Sequence, residues 1–195
     1  MTIAAASRKA VLRNEALRRR GALGPSLRES FAARLAEQGL ALARRVGASI
    51  VSAFLPIRDE PDTLPLIAAL AAHGFRTTLP VTVSRGAPLI FRQWRPGDPT
   101  LPGGMKILEP LASAEALDPD LLFVPLACFD RRGHRIGFGA GHYDRSLAAL
   151  RAAGRVTAVG VAYSAAQAAE IPDEPHDQRL DFVLTERELI DCRGG

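Results

Sequence analysis

The densest chemistry in this sequence lies in GHRIGFGAGHYDRSL, residues 133–147. Gly137, Gly139 and Gly141 alternate with other residues, Arg135 precedes them, and His142, Tyr143 and Asp144 follow as a helical pattern begins. Glycines permit unusual backbone angles and bring N–H groups close to oxygen atoms. A helix start adds free donors and a partial positive charge. Such a stretch either cradles a phosphate or makes a plain turn, and the common fingerprints do not decide. The P-loop pattern G-x-x-x-x-G-K-[ST] is missing, and G-x-G-x-x-G begun at Gly137 needs glycine at 142, where histidine stands.

Asp144 puts a carboxylate in the first helical turn. It complements the helix dipole, and beside phosphates it is also where Mg2+ is held, since that ion prefers one or two carboxylates with phosphate oxygens and water. EPHDQRLD (174–181) offers Asp177 and Asp181 as second ligands, with loop solvation or capping as the plain alternatives. Lys9 and Arg13, four apart on one helix face, can clamp a triphosphate or form a solvated basic surface. Arg135 is a third cation for phosphate contact. Glu60, in RDEPD, can accept two N–H bonds from an amino-pyrimidine edge or serve as a surface acid. Phe91, Trp94 and Phe138 can stack on a flat heterocycle; core packing suits the first two, whereas Phe138 between glycines is hard to place in a core. Cys128 reads as a small buried residue. No Cys–His or Ser–His–acid set assembles, so covalent catalysis has no support.

These side chains need a frame. Helical spacing predicts a basic helix over 4–20 and a second over 26–46, broken at Gly24-Pro25. SIVSAFLP (49–56), RTTLPVTV (76–83), PLIFRQW (88–94), DLLFVPL (120–126), VTAVGVAY (156–163) and DFVLT (181–185) read as strands. Residues 62–74, 143–153 and 165–171 read as helices, and 95–110 as an irregular loop rich in Pro and Gly. The alternation predicts an α/β fold: a mainly parallel sheet with helices on both faces, a Rossmann-like three-layer sandwich. Ligands in such sheets gather at the carboxyl ends of strands. PIRDEPD (56–62), ACFDRRGHRIGFGAGHYD (127–144) and EIPDEPHDQ (170–178) are the loops expected there.

A length of 195 residues with 47% hydrophobic and 24% charged content suits a single domain, 1–195, with N-terminal helices over 1–47 and an α/β body over 48–195. No apolar run is long enough to span a membrane, and the N-terminal stretch reads as a helix of the mature protein. Two distant cysteines, Cys128 and Cys192, and four histidines without ligand spacing argue for neither a disulfide framework nor a zinc site; a reducing, cytoplasmic setting fits. The net charge of +4 favours anionic partners.

VPLACFDRRGHRIGFGAGHYDRSL (124–147) resembles the signature of the 5-formyltetrahydrofolate cyclo-ligases, or methenyltetrahydrofolate synthetases, close to V-P-G-x-x-F-D-x-x-G-x-R-x-G-x-G-x-G-Y-Y-D-R. Lys9 and Arg13, FLPIRDEPDT (54–63), ILEP (107–110) and EIPDEPHDQRLDFVLTE (170–186) match further family segments in order and spacing. The resemblance implies a ligase of one-carbon metabolism. It would use MgATP to join the N5-formyl group of 5-formyltetrahydrofolate to N10, giving 5,10-methenyltetrahydrofolate, ADP and phosphate. It implies ATP contacts at Lys9, Arg13, Arg135, Gly137, Gly139, Ala140, Gly141, His142 and Tyr143, and Mg2+ at Asp144 and Asp177. Folate contacts fall at Leu55, Glu60, Phe138, Gly139, Ala140, Gly141 and His142, with Arg135, Phe138, His142 and Tyr143 at the reacting groups. The expected partner is the folate, with or without a polyglutamate tail, and neither nucleic acid nor membrane; the expected state is a monomer or weak dimer.

Three positions depart from the pattern. His142 stands where the family has tyrosine, Ala140 where glycine or lysine is frequent, and Leu126-Ala127 where glycine follows V-P. The histidine motivates an alternative, a paralogue running the same MgATP chemistry on another small amide or amine. The basic charge motivates another, a non-catalytic nucleotide or nucleic-acid binder.

Overall fold

Leu121, Leu122, Phe123 and Val124 follow one another without a polar residue, and such a run belongs in the middle of a sheet covered on both faces. The computed structural model, which describes residues 3–84, 86–103, 107–154 and 156–194, places it there. In chain order come helices α1 (Ile3–Gly21) and α2 (Pro25–Val46), strand β1 (Ile50–Ser52), helix α3 (Leu64–Ala72) and strands β2 (Arg76–Val81) and β3 (Ile90–Gln93). Strands β4 (Thr100–Pro102), β5 (Leu108–Pro110), β6 (Leu121–Pro125), β7 (Cys128–Phe129) and β8 (Arg135–Ile136) follow. Helix α4 (His142–Ala153) and strands β9 (Thr157–Val161), β10 (Phe182–Leu184) and β11 (Leu189–Asp191) complete the chain.

Among the described residues a seven-stranded sheet runs in the order β11-β10-β9-β6-β1-β2-β3. Its inner strands are parallel, and the edge strands β3 and β11 are antiparallel to their neighbours. Successive side chains feed opposite faces. Leu121, Phe123, Val159, Val161, Phe182 and Leu184 pack with Phe31, Leu35 and Leu42 of α2 and Leu66, Ile67 and Leu70 of α3. Leu122, Val124, Ala158 and Val183 pack with Ala16 of α1 and Leu147 of α4. This is the three-layer α/β sandwich that the alternation predicted.

Boundaries differ where local chemistry decides them. The first strand keeps its ladder only to Ser52; beyond it the chain turns toward the loop that carries Glu60. The stretch 95–110 contains the β4–β5 hairpin, and its residues 104–106 lie outside the described ones. The helix expected over 165–171 is a single 3-10 turn, Ser164–Ala166, because Gln167 bridges to Phe129 and Pro172 ends any helical continuation. β7, β8 and β11, at two to three residues each, are too short for periodicity to announce.

Candidate active site

β1 and β6 are neighbours at the middle of the sheet, yet their connections depart in opposite directions, β1 toward β2 and β6 toward β9. The loops beyond their carboxyl ends diverge and leave a crevice. A cavity of about 300 Å3 occupies it. The loop after β1 contributes Leu55, Ile57 and Glu60; the segment from β8 into α4 contributes Arg135, Gly137, Phe138, Gly139, Ala140, Gly141, His142, Tyr143 and Asp144. α1 contributes Lys9 and Arg13, and the loop before β10 contributes Glu174, His176 and Asp177. Every residue to which the family resemblance assigned a role therefore lines one cavity. A second cavity, of about 360 Å3, is bounded by Arg145, Ala148 and Gln178 and shares Gly139, Ala140, Gly141, Asp144 and His176 with the first.

The glycine stretch is shaped by backbone angle. Gly139 has φ +97° and Gly141, which caps α4, has φ +64°, a region costly to residues with a Cβ. A Cβ on Gly139 would meet nothing within 4 Å, so the demand there is for conformation and not for space. Side chains pin the loop at its carbonyls: Arg13 Nε donates to Gly137 O at 2.8 Å, and Arg145 donates to Ala140 O at 2.5 Å. His142 is held through Nδ1, 2.9 Å from Ala87 O. A carbonyl only accepts, so Nδ1 carries the proton and Nε2 remains an acceptor in the neutral ring.

Charges in the cavity are paired and partly desolvated. Arg135, with 5% of its side chain exposed, donates to Asp144 Oδ1 at 2.7 Å and to the Gln178 carbonyl. Burial pushes Arg135 toward losing its proton, and Asp144 and Asp177 oppose that. Gln178 N also donates to Asp144 Oδ1, at 3.1 Å, and Asp144 Oδ2 takes no hydrogen bond among the described residues. Lys9 Nζ donates to Asp177 Oδ2 at 2.6 Å and Glu174 Oε2 at 3.0 Å. Burial works against the Lys9 charge, but those bonds outweigh it and raise its pKa. Glu60 is 7% exposed, and its Oε2 accepts from Ile57 N at 3.0 Å. Burial raises its pKa, while that bond and Arg20 pull it back. Burial likewise pushes the Tyr143 hydroxyl up, so it acts as a neutral group.

The two expected Mg2+ ligands face the same cavity but sit in different local pairs, Asp144 with Arg135 and Asp177 with Lys9. The ligand atoms of Glu174, His176 and Asp177 all lie within 4.8 Å of one another. Carboxylate oxygens from Asp177 and Glu174, with the second oxygen of Asp144 on the same cavity, fit a hard divalent cation. Glu174 and His176 went unselected in the sequence; the acidic density of the PDEPHD stretch was the available signal. Asp181 does not join them: its Oδ2 accepts from Ala158 N at 2.7 Å and Arg151 at 3.1 Å, closing the start of β9. Phe91 and Trp94 do not line the cavity; they are 2% and 6% exposed and pack into opposite faces of the sheet. Phe138 is 52% exposed on the cavity. Cys128 is buried, and burial pushes its thiol up to about 11, away from thiolate chemistry.

Fold and site together define a three-layer α/β protein with a charged ligand cavity at the switch point of its sheet. Residues 5–186 match the model of the 5-formyltetrahydrofolate cyclo-ligase family. The 5-formyltetrahydrofolate cyclo-ligase of Mycolicibacterium smegmatis is 32% identical over 189 residues, covering 93% of this chain and 95% of that protein. That of Escherichia coli K12 is 33% identical over 172 residues, covering 86% and 94%. The NMR structure of Aquifex aeolicus 5,10-methenyltetrahydrofolate synthetase superposes with TM-score 0.76 at 27% identity, covering 96% of this chain and 94% of that one. The chain belongs to the 5-formyltetrahydrofolate cyclo-ligase family, and so stands among enzymes and not among non-catalytic nucleotide or nucleic-acid binders. Among the described residues no helix is long and apolar enough to cross a membrane.

Proposed function

We propose that this protein converts 5-formyltetrahydrofolate and ATP to 5,10-methenyltetrahydrofolate, ADP and phosphate, with Mg2+, as one catalytic domain spanning 1–195 in the cytoplasm. The observation that carries the reading is the convergence of Lys9, Arg13, Arg135, Asp144 and Asp177 with Leu55, Glu60 and Phe138 on one cavity. The glycine loop lines the same cavity and can meet both a nucleotide and a folate there.

The formyl amide oxygen is a poor nucleophile and water a better one, so the site must align that oxygen with the γ-phosphorus and keep water out. Glu60, in its buried niche, accepts N–H bonds from the pterin edge. Phe138 and Leu55 wall the apolar side. Backbone N–H groups of the glycine loop, Lys9, Arg13 and Arg135 neutralise charge on the transferring phosphoryl group. The formyl oxygen takes the phosphoryl group as ADP leaves. N10 then attacks the formyl carbon, phosphate departs with that oxygen, and N10 gives up its proton. Asp144, Asp177 and Glu174 would hold Mg2+, which supplies charge neutralisation on the phosphates.

The test is to incubate purified protein with MgATP and 5-formyltetrahydrofolate and follow the methenyl chromophore. Its appearance supports the reading. Folded protein with intact substrate and no chromophore contradicts it, and ATP hydrolysis stimulated instead by another small amide or amine would favour the paralogue.

A further inference from the structure

α1 carries a third cation on the face that bears Lys9 and Arg13. Positions 9, 13, 16 and 20 fall on one stripe, and along it Ala16 is fully buried and Arg20 is 4% exposed. A buried arginine is expected to use all its N–H groups. Arg20 does not. Its Nη2 donates to Asp59 Oδ1 at 2.8 Å, while Nε and Nη1 find no hydrogen-bond acceptor among the described residues. What the guanidinium faces instead is an aromatic ring: its central carbon lies 6.0 Å from the centroid of Phe138. On the other side it bonds Asp59, the neighbour of Glu60. One buried cation thus touches two loops, the one after β1 and the one before α4, at the residues flanking the substrate cavity.

We infer that Arg20 is a positioning residue for the folate half of the site, holding the Phe138 ring against the cavity through a cation–π contact and fixing the Glu60 loop through Asp59. The inference rests on the functional reading above. A cation held over a ring face favours one ring orientation, which an exposed phenylalanine between glycines otherwise lacks. Arg13, two turns earlier on the same stripe, grips the backbone of the same loop at Gly137 O. α1 therefore holds the loop twice, once by its main chain and once by its ring. The same cation lies within electrostatic reach of Glu60, whose other charged or titratable neighbours are Asp59 on its own loop and Tyr143 on α4. Burial favours protonated Glu60 and Arg20 opposes that, so loss of Arg20 moves the acid limb of folate binding to higher pH.

The experiment compares Arg20→Gln and Arg20→Lys with the parent enzyme. The glutamine variant is expected to raise KM for 5-formyltetrahydrofolate about tenfold, the size of a partly desolvated cation–π contact, with KM for MgATP unchanged. Its acid limb in kcat/KM for the folate should move upward in pH. Lysine, which keeps the charge beside Asp59, should restore the limb but only part of the folate KM. A second readout needs no turnover: Trp94→Phe with Phe138→Trp leaves a single indole at 138, whose fluorescence anisotropy should fall when Arg20 becomes lysine or glutamine. Unchanged anisotropy in either Arg20 variant overturns the positioning role, as does an equal rise in both KM values. If the parent enzyme forms no methenyl product, the functional reading fails, and the anisotropy still decides whether Arg20 orders the ring.

Discussion

Lys9 Nζ lies 2.6 Å from Asp177 Oδ2, joining a cation of the first helix to a carboxylate 168 positions later. The pair sits at the charged end of the cavity. For both groups to serve a metal-bound nucleotide they must exchange partners, the lysine moving to phosphate and the aspartate to the cation. Lys9→Ala is accordingly expected to raise KM for MgATP about tenfold to a hundredfold, the worth of a charge-assisted hydrogen bond, and to leave KM for the folate nearly unchanged. Steady-state kinetics with each substrate varied in turn checks it.

Asp144→Asn tests the other carboxylate. Arg135 is 5% exposed and Asp144 24%, so neutralising the acid strands a largely buried guanidinium. The loss is about 2 kcal/mol, below that of a fully buried pair because Asp144 is partly solvated and Arg135 keeps the Gln178 carbonyl. A melt should show Tm lower by roughly 5 °C with a cooperative transition, and turnover should fall about a hundredfold. Full activity in a variant that melts lower would remove Asp144 from the chemistry and leave it a structural partner.

Glu60 makes an opposite prediction for stability and function. Its pKa is raised in the fold, first by burial, so between its unfolded and folded values the native state binds more protons than the unfolded one. Stability is then fully present below the unfolded value and is lost as pH rises through the folded value. Glu60→Gln should melt higher than the parent at neutral pH and show no such advantage near pH 4, while its KM for the folate rises about tenfold. A variant that lost stability at neutral pH would contradict the direction of that shift.

The resemblance and the residue spacing made the cavity-lining set legible because its members, Lys9 and Arg13 of α1 apart, cluster in three segments that the sheet must bring to one end. Glu174 and His176 escaped because nothing local separates a ligating loop acid from a solvated one; only the placement of Lys9 beside Asp177 does. Phe91 and Trp94 were ambiguous for the converse reason. An aromatic on a strand is stacker or core according to which layer covers its face, and that is a tertiary fact. Arg20 shows the limit most clearly. Its stripe with Lys9 and Arg13 was present in the sequence, but three arginines in succession, Arg18, Arg19 and Arg20, conceal which one turns inward.

The glycine loop predicts a conformational cost without a steric one. Gly139→Ala places a methyl in open space at φ +97°, so the folded state should lose about 1–2 kcal/mol by denaturant titration. Turnover should fall further than stability, since the loop's N–H groups lose their aim. An alanine variant with unchanged kcat would show that the loop's angles serve the turn alone.

The central claim, that the formyl oxygen itself takes the phosphoryl group, is tested most directly by following that atom. 5-Formyltetrahydrofolate carrying a heavy oxygen isotope in the formyl group is turned over with MgATP in ordinary water, and the inorganic phosphate is analysed by mass. The account predicts one labelled oxygen in each phosphate formed, matched by one methenyl product. Unlabelled phosphate accompanying methenyl formation would contradict it.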